Sequence, residues 1–137
     1  MSVRFHSHNI GFSLKNKIAV KKLILFLIRS ERKKAGAINY VFCSDKFLFE
    51  LNKKFLKHST LTDIITFQYP YKNLSGEIFI SIPRVKENAK KFKVSFDSEL
   101  RRVMIHGVLH LCGYKDKSQS QKKKIRAKEN RYVVSLK

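Results

Sequence analysis

A chain of 137 residues, 43% of them hydrophobic, is large enough to enclose one core, which excludes a disordered basic tail. Thirty Lys and Arg against ten Asp and Glu leave a net charge of +20, more than internal ion pairs can neutralise, so a polyanion such as nucleic acid is the expected partner. The longest apolar run, residues 23–28, falls far short of the roughly 20 residues a membrane span needs, so no membrane partner is expected.

In chain order, residues 3–7 alternate weakly and suit a first strand, and residues 14–35 take helical spacing, with Ile18, Leu25 and Ile28 in an apolar stripe. Gly36 is the expected stop of that helix. Residues 38–43 are short, β-branched and aromatic, hence a strand, and Ser44 or Asp45 can cap a helix to about residue 55. A polar stretch, 57–63, leads to a strand at 64–67; residues 69–75 read as a turn or loop. Residues 76–81 form the clearest strand, Pro83 suits the start of a helix to about 93, and Ser95 precedes a helix over 96–112. The second half of that helix is apolar nearly all round, which requires burial. A basic last helix is expected over 119–134. The order predicts an α+β fold in one domain, 1–137: a mixed sheet of about four strands with about five helices packed on it.

The chemistry concentrates in His106-Gly107-Val108-Leu109-His110-Leu111-Cys112-Gly113-Tyr114-Lys115-Asp116. Residues four apart on a helix differ by only about 40° in direction, so His106 and His110 project side by side and can reach one ion. Gly113 permits a left-handed turn, and the reversal can return Asp116 as a third ligand at the C-terminal end of the buried helix. Three protein ligands leave a position open for water, as in catalytic zinc sites. A chance His pair at this spacing is expected in roughly one such chain in five, so the pair alone decides little. Its place on an apolar helix, the Gly at +3 and the carboxylate at +6 carry the reading. Cys112 lies about 200° round the helix from His110 and is read as a small hydrophobe, not a ligand. Two thiols and no secretory leader fit a reducing cytoplasm.

The HxxxHxxGxxD spacing is shared with metzincin-type peptidases, whose general base is a Glu directly after the first His; that position here is Gly107. A two-His, one-carboxylate set also occurs in non-haem iron oxygenases, though usually on a barrel of strands. Neither rival uses the positive charge.

The segment from His106 to Asp116 resembles the YbeY-type endoribonucleases, the rRNA maturation factors, whose signature runs HGxLHLxGxDH. Leu51-Asn52, Thr62 to Phe67, and Gly76-Glu77-Ile78 are similar to the family's LN, TDVLSF and GDI blocks, in the same order. The resemblance implies a zinc-dependent endoribonuclease with one Zn²⁺ per chain and no organic cofactor. It favours single strands, matures 16S rRNA ends on the small ribosomal subunit and serves ribosome quality control. The family's third ligand is normally His, and Asp116 stands there; its Arg after the LN block is replaced by Leu56, flanked by Lys57 and His58; its Asp after Gly is Glu77.

Glu77, Asp63 and a water on the ion are the candidate proton acceptors, and the nucleophile is either water or the RNA 2′-hydroxyl. The last helix, with Lys115 and Lys117, is the expected backbone-tracking surface. The alternative is a non-catalytic RNA- or ribosome-binding accessory protein with a structural metal.

Overall fold

Val3, Ile38, Tyr40, Phe42, Ile78 and Ile80 are all buried, and alternate residues of a strand share a face, so these six mark the inner surface of one sheet. The computed structural model describes residues 2–56 and 62–134. Its strands are β1 (Ser2–Ser7), β2 (Ala35–Cys43), β3 (Ile64–Gln68) and β4 (Leu74–Ser81), in the order β1-β2-β4-β3. β1, β2 and β4 are parallel; β3 pairs antiparallel to β4 at the edge. The helices are α1 (Lys17–Ser30), α2 (Asp45–Phe55), α3 (Ile82–Phe92), α4 (Phe96–Leu111) and α5 (Gln119–Val134). The expected α+β domain with a mixed four-stranded sheet and five helices is what forms.

The inner face is covered by α1 and α4. α1 buries Val20, Leu23, Ile24, Leu27 and Ile28, the i, i+3, i+4 stripe of an amphipathic helix. α4 is nearly all apolar because the sheet lies below it and α3 and α5 flank it. Gly107 sets its height: an added Cβ would stand 2.8 Å from Ile78 Cγ2 and 2.9 Å from Ile64 Cδ1, so only glycine allows this approach. Tyr40 fixes the helix further by donating its hydroxyl to the Met104 carbonyl at 2.8 Å. On the opposite face α2 rests Leu48 on Cys43 and Ile65, with Phe47, Phe67 and Phe79 around them.

Three boundaries differ from expectation. α1 ends at Ser30, not near 35, because Arg32 adopts the left-handed conformation (φ 62°) and Lys33 N donates back to the Ile28 carbonyl. Gly36 is therefore no helix stop. It lies inside β2, where the Ser75 hydroxyl fills the space a Cβ would need, and β2 starts at Ala35. The loop before β4 is shorter than expected, since Leu74 and Ser75 already belong to the strand. Of the polar stretch 57–63, residues 57–61 lie outside the described residues.

One carboxylate ties the C-terminal third to α1. Glu31 accepts from Tyr114 (2.6 Å), Tyr132 (2.5 Å) and Lys128 (3.1 Å), which belong to the turn after α4 and to α5. Burial alone would raise its pKa, but the two phenols and the ammonium outweigh it and hold the pKa below 4.5. A depressed carboxylate pKa adds stability that is complete above the unfolded value and disappears as pH falls through the folded one. Thermal melts of Glu31→Gln should therefore fall below wild type at pH 7, with the gap closing below about pH 4.5. A gap that persists undiminished into strong acid contradicts this role for the charge.

Candidate metal centre

His106 and His110 sit one turn apart on α4, and their Nε2 atoms lie 2.9 Å from each other. After Leu111 the helix closes with paired hydrogen bonds, Gly113 N to the His110 carbonyl and Tyr114 N to the Leu109 carbonyl, both 3.0 Å. This is the Schellman arrangement, and it needs a left-handed residue, here Gly113 at φ 109°. The reversal brings Asp116 Oδ2 to 3.3 Å from His106 Nε2 and 3.4 Å from His110 Nε2. All three expected ligands thus come together, their ligand atoms within 4.8 Å of one another. Cys112 is not among them.

The donor set fits a zinc-sized ion. Ligands bonded at about 2.0–2.2 Å in a tetrahedron stand roughly 3.3 Å apart; the spacings to Asp116, 3.3 and 3.4 Å, match that edge, and the two Nε2 atoms, 2.9 Å apart, need to separate by a few tenths of an ångström. Both imidazoles are mostly shielded, with side-chain exposures of 21% and 26%, whereas Asp116 is 42% exposed and lies on the solvent side.

The surroundings contain residues that sequence reasoning missed. His106 Nδ1 is 2.5 Å from Glu129 Oε2 on α5; the carboxylate accepts only, so Nδ1 carries the hydrogen and Nε2 is turned to the centre. Arg102 Nη1 donates to the other Glu129 oxygen at 3.2 Å. Glu129 is buried on an otherwise cationic helix, but only its separation of 23 residues from His106, bridged by the fold, reveals the partnership. Its spacing with Ile125 and Tyr132, i and i+4, i+7, was the available signal: it occupies the helix's inward stripe.

The electrostatics follow. Burial disfavours the charged His106 ring, but the Glu129 hydrogen bond and charge, with Asp116 and Asp63, outweigh it and raise its pKa above 6.5. Burial and the neighbouring His106 charge lower that of His110. Burial likewise opposes charge on Glu129, and the His106 bond reverses the effect and lowers its pKa. Glu129 thus favours the charged form of His106, while burial next to His106 favours the neutral form of His110.

Two of the expected proton acceptors separate. Glu77 shares the α2 face of β4 with Phe79 and accepts from Tyr69, so the sheet stands between it and the imidazoles. Asp63, at the start of β3, lines one hollow with His106, Asp116 and Glu129. Burial raises its pKa, partly offset by the His106 charge and an Asn88 hydrogen bond. Lys122 and Arg126 from α5 line the same hollow, so part of the expected basic surface borders the site. Leu56 is 43% exposed at the end of α2; its neighbours Lys57 and His58 lie outside the described residues.

An α+β sheet that brings together two helical imidazoles and a returned carboxylate, with Glu129 bonded behind His106, could hold a metal ion, as a metal-dependent enzyme requires. The chain belongs to the endoribonuclease YbeY family, whose description matches residues 3–137. It is 50% identical over 129 residues to the endoribonuclease YbeY of Flavobacterium johnsoniae, covering 93% of each chain, and 42% identical over 136 residues to that of Amoebophilus asiaticus, covering 98% of this chain and 92% of the relative. A solution structure from Thermotoga maritima superimposes with a TM-score of 0.69 at 27% identity, over 98% of this chain and 89% of that one.

Replacing Glu129 with Gln should weaken zinc binding about 10- to 100-fold, because the ring loses the carboxylate that orients it. Since an ion must displace the His106 proton, wild-type affinity should keep rising with pH above 6.5. In the Gln variant that rise should finish at lower pH. Titration calorimetry across pH checks both, and an unchanged affinity and profile would count against the pairing.

Proposed function

We propose that this endoribonuclease is zinc-dependent, holds one ion per chain through His106, His110 and Asp116, and cuts single-stranded RNA during 16S rRNA end maturation and ribosome quality control. In this reading residues 1–137 act as one domain in the cytoplasm, with the small ribosomal subunit as partner and no organic cofactor. No described helix is long and apolar enough to cross a membrane. The observation that carries the reading is the convergence of three ligand atoms, with no fourth His, Cys, Asp or Glu joining them among the described residues, since structural zinc sites usually close with a fourth protein ligand.

His106, His110 and Asp116 would hold a divalent ion, which would supply Lewis acidity toward the phosphodiester. The chain's residues do the rest. Glu129 and Arg102 fix the His106 ring, and Lys122 and Arg126 face the hollow where phosphate charge would accumulate. The net charge of +20 draws the polyanion in.

Gly107 weighs against the peptidase alternative. The position where those enzymes carry the general base points at Ile78 and Ile64 with no space for a carboxylate. The accessory-protein alternative draws on Leu56 standing where the family has Arg. His110→Ala separates it from the enzyme: metal-dependent cleavage of a single-stranded RNA should drop at least about a thousandfold, while RNA affinity measured by fluorescence anisotropy stays within a few-fold. Undiminished cleavage would mean that another site, or another protein, does the cutting.

A further inference from the structure

The hollow beside the centre has a volume of about 370 Å³ and lies between α3, α4, α5 and the start of β3. Ile64, Val103 and Ile125 give its lining an apolar part that a flat ring can contact. At its rim Phe92, the last residue of α3, leaves 54% of its surface exposed. A large apolar side chain exposed next to a charged cleft suits stacking by a nucleobase. Lys122 and Arg126 stand on the α5 wall.

The lining is also acceptor-rich, since Asp63, Glu99, Asp116, Glu129 and Asn88 all contribute to it. Asn88 Nδ2 donates to Asp63 Oδ2 at 3.4 Å and the Asp63 carboxylate also accepts from its own backbone N–H; a carboxylate has about four acceptor sites, so it and the Asn88 amide oxygen keep accepting capacity. Two neighbouring acceptors favour a base that presents neighbouring donors. Guanine does so with N1–H and its exocyclic amino group; adenine and cytosine offer one amino group each; uracil offers one N–H between two carbonyls, which the carboxylate repels.

We propose that this hollow is a guanine subsite, in which Asp63 and Asn88 read the base of a nucleotide flanking the scissile phosphate and Phe92 stacks on it. This rests on the endoribonuclease reading, because His106 and Asp116 line the same hollow and put the bound base next to the bond that is cut. It assigns Asp63 to substrate selection rather than to proton transfer.

Two measurements test it. Guanosine 5′-monophosphate and uridine 5′-monophosphate are titrated into the wild-type protein and followed by amide NMR. Guanosine monophosphate should bind about tenfold more tightly and shift the resonances of Asn88 and Phe92. Equal affinities, or shifts confined to other surfaces, overturn the subsite whether or not the protein cuts RNA. Random-sequence single-stranded RNA is then digested with zinc present and the new ends are sequenced. Guanine should be enriched at one flank of the cut, and Asp63→Asn, which replaces one acceptor oxygen by a donor, should erase that enrichment and raise the uracil share. Cleavage without base preference, or a loss in Asp63→Asn that is the same for all four bases, overturns the assignment. Absence of any cleavage by wild type defeats the endoribonuclease reading instead, and the nucleotide titration still decides the subsite.

Discussion

The site depends on one backbone reversal. α4 can present two imidazoles from a single face, but a helix cannot turn its own chain back to supply a third ligand from above. Gly113, at φ 109°, does this through the paired hydrogen bonds to the His110 and Leu109 carbonyls. Because the glycine has no Cβ, the left-handed geometry costs it little; an alanine there would carry a penalty of about 1–2 kcal/mol. Tyr114, the next residue, anchors the turn to Glu31, so the position of Asp116 is tied to the end of α1 through a hydrogen bond of 2.6 Å.

The second constraint is the buried Glu129. A carboxylate that is 3% exposed is expensive to bury unless its charge is answered. Arg102 and His106 answer it from α4, and Ile125 and Tyr132 on the same stripe of α5 hold the helix in place. The capping box at the start of α5 completes the anchoring: Ser118 Oγ accepts from Gln121 N, and Gln121 Oε1 accepts from Ser118 N. α5 thus has two roles that its lysine-rich sequence masks. Its buried Glu129 orients the His106 ring, and the more exposed Lys122 and Arg126 line the same hollow beside it.

Much of this was legible from periodicity and spacing. The runs forming β4, α2, α4 and α5 have unambiguous patterns, and the His106, His110 and Asp116 set is local in sequence, so helix geometry and one glycine suffice to assemble it. What escaped was decided by contacts between distant segments. Arg32 takes the left-handed turn that Gly36 was expected to take, because burial of Ala35 and the fit of Ser75 against Gly36 draw those residues into β2. Arg102 and Glu31 acquire their roles from partners 27 to 101 residues away, and nothing in their immediate neighbours announces them; for Glu129 only its place on the inward stripe of α5 hints at burial. Glu77 and Asp63 looked equivalent as carboxylates; strand alternation on β4 put one behind the sheet and the fold put the other in the hollow.

In the proposed site two helical imidazoles and the carboxylate returned by Gly113 hold a single ion. Anomalous scattering from crystals of protein purified without chelator, with data on both sides of the zinc absorption edge, tests it most directly. One peak per chain is expected, about 2.0–2.2 Å from His106 Nε2, His110 Nε2 and an Asp116 oxygen, with no fourth protein ligand. A peak bound elsewhere, or one held by the two imidazoles while Asp116 faces solvent, would contradict it.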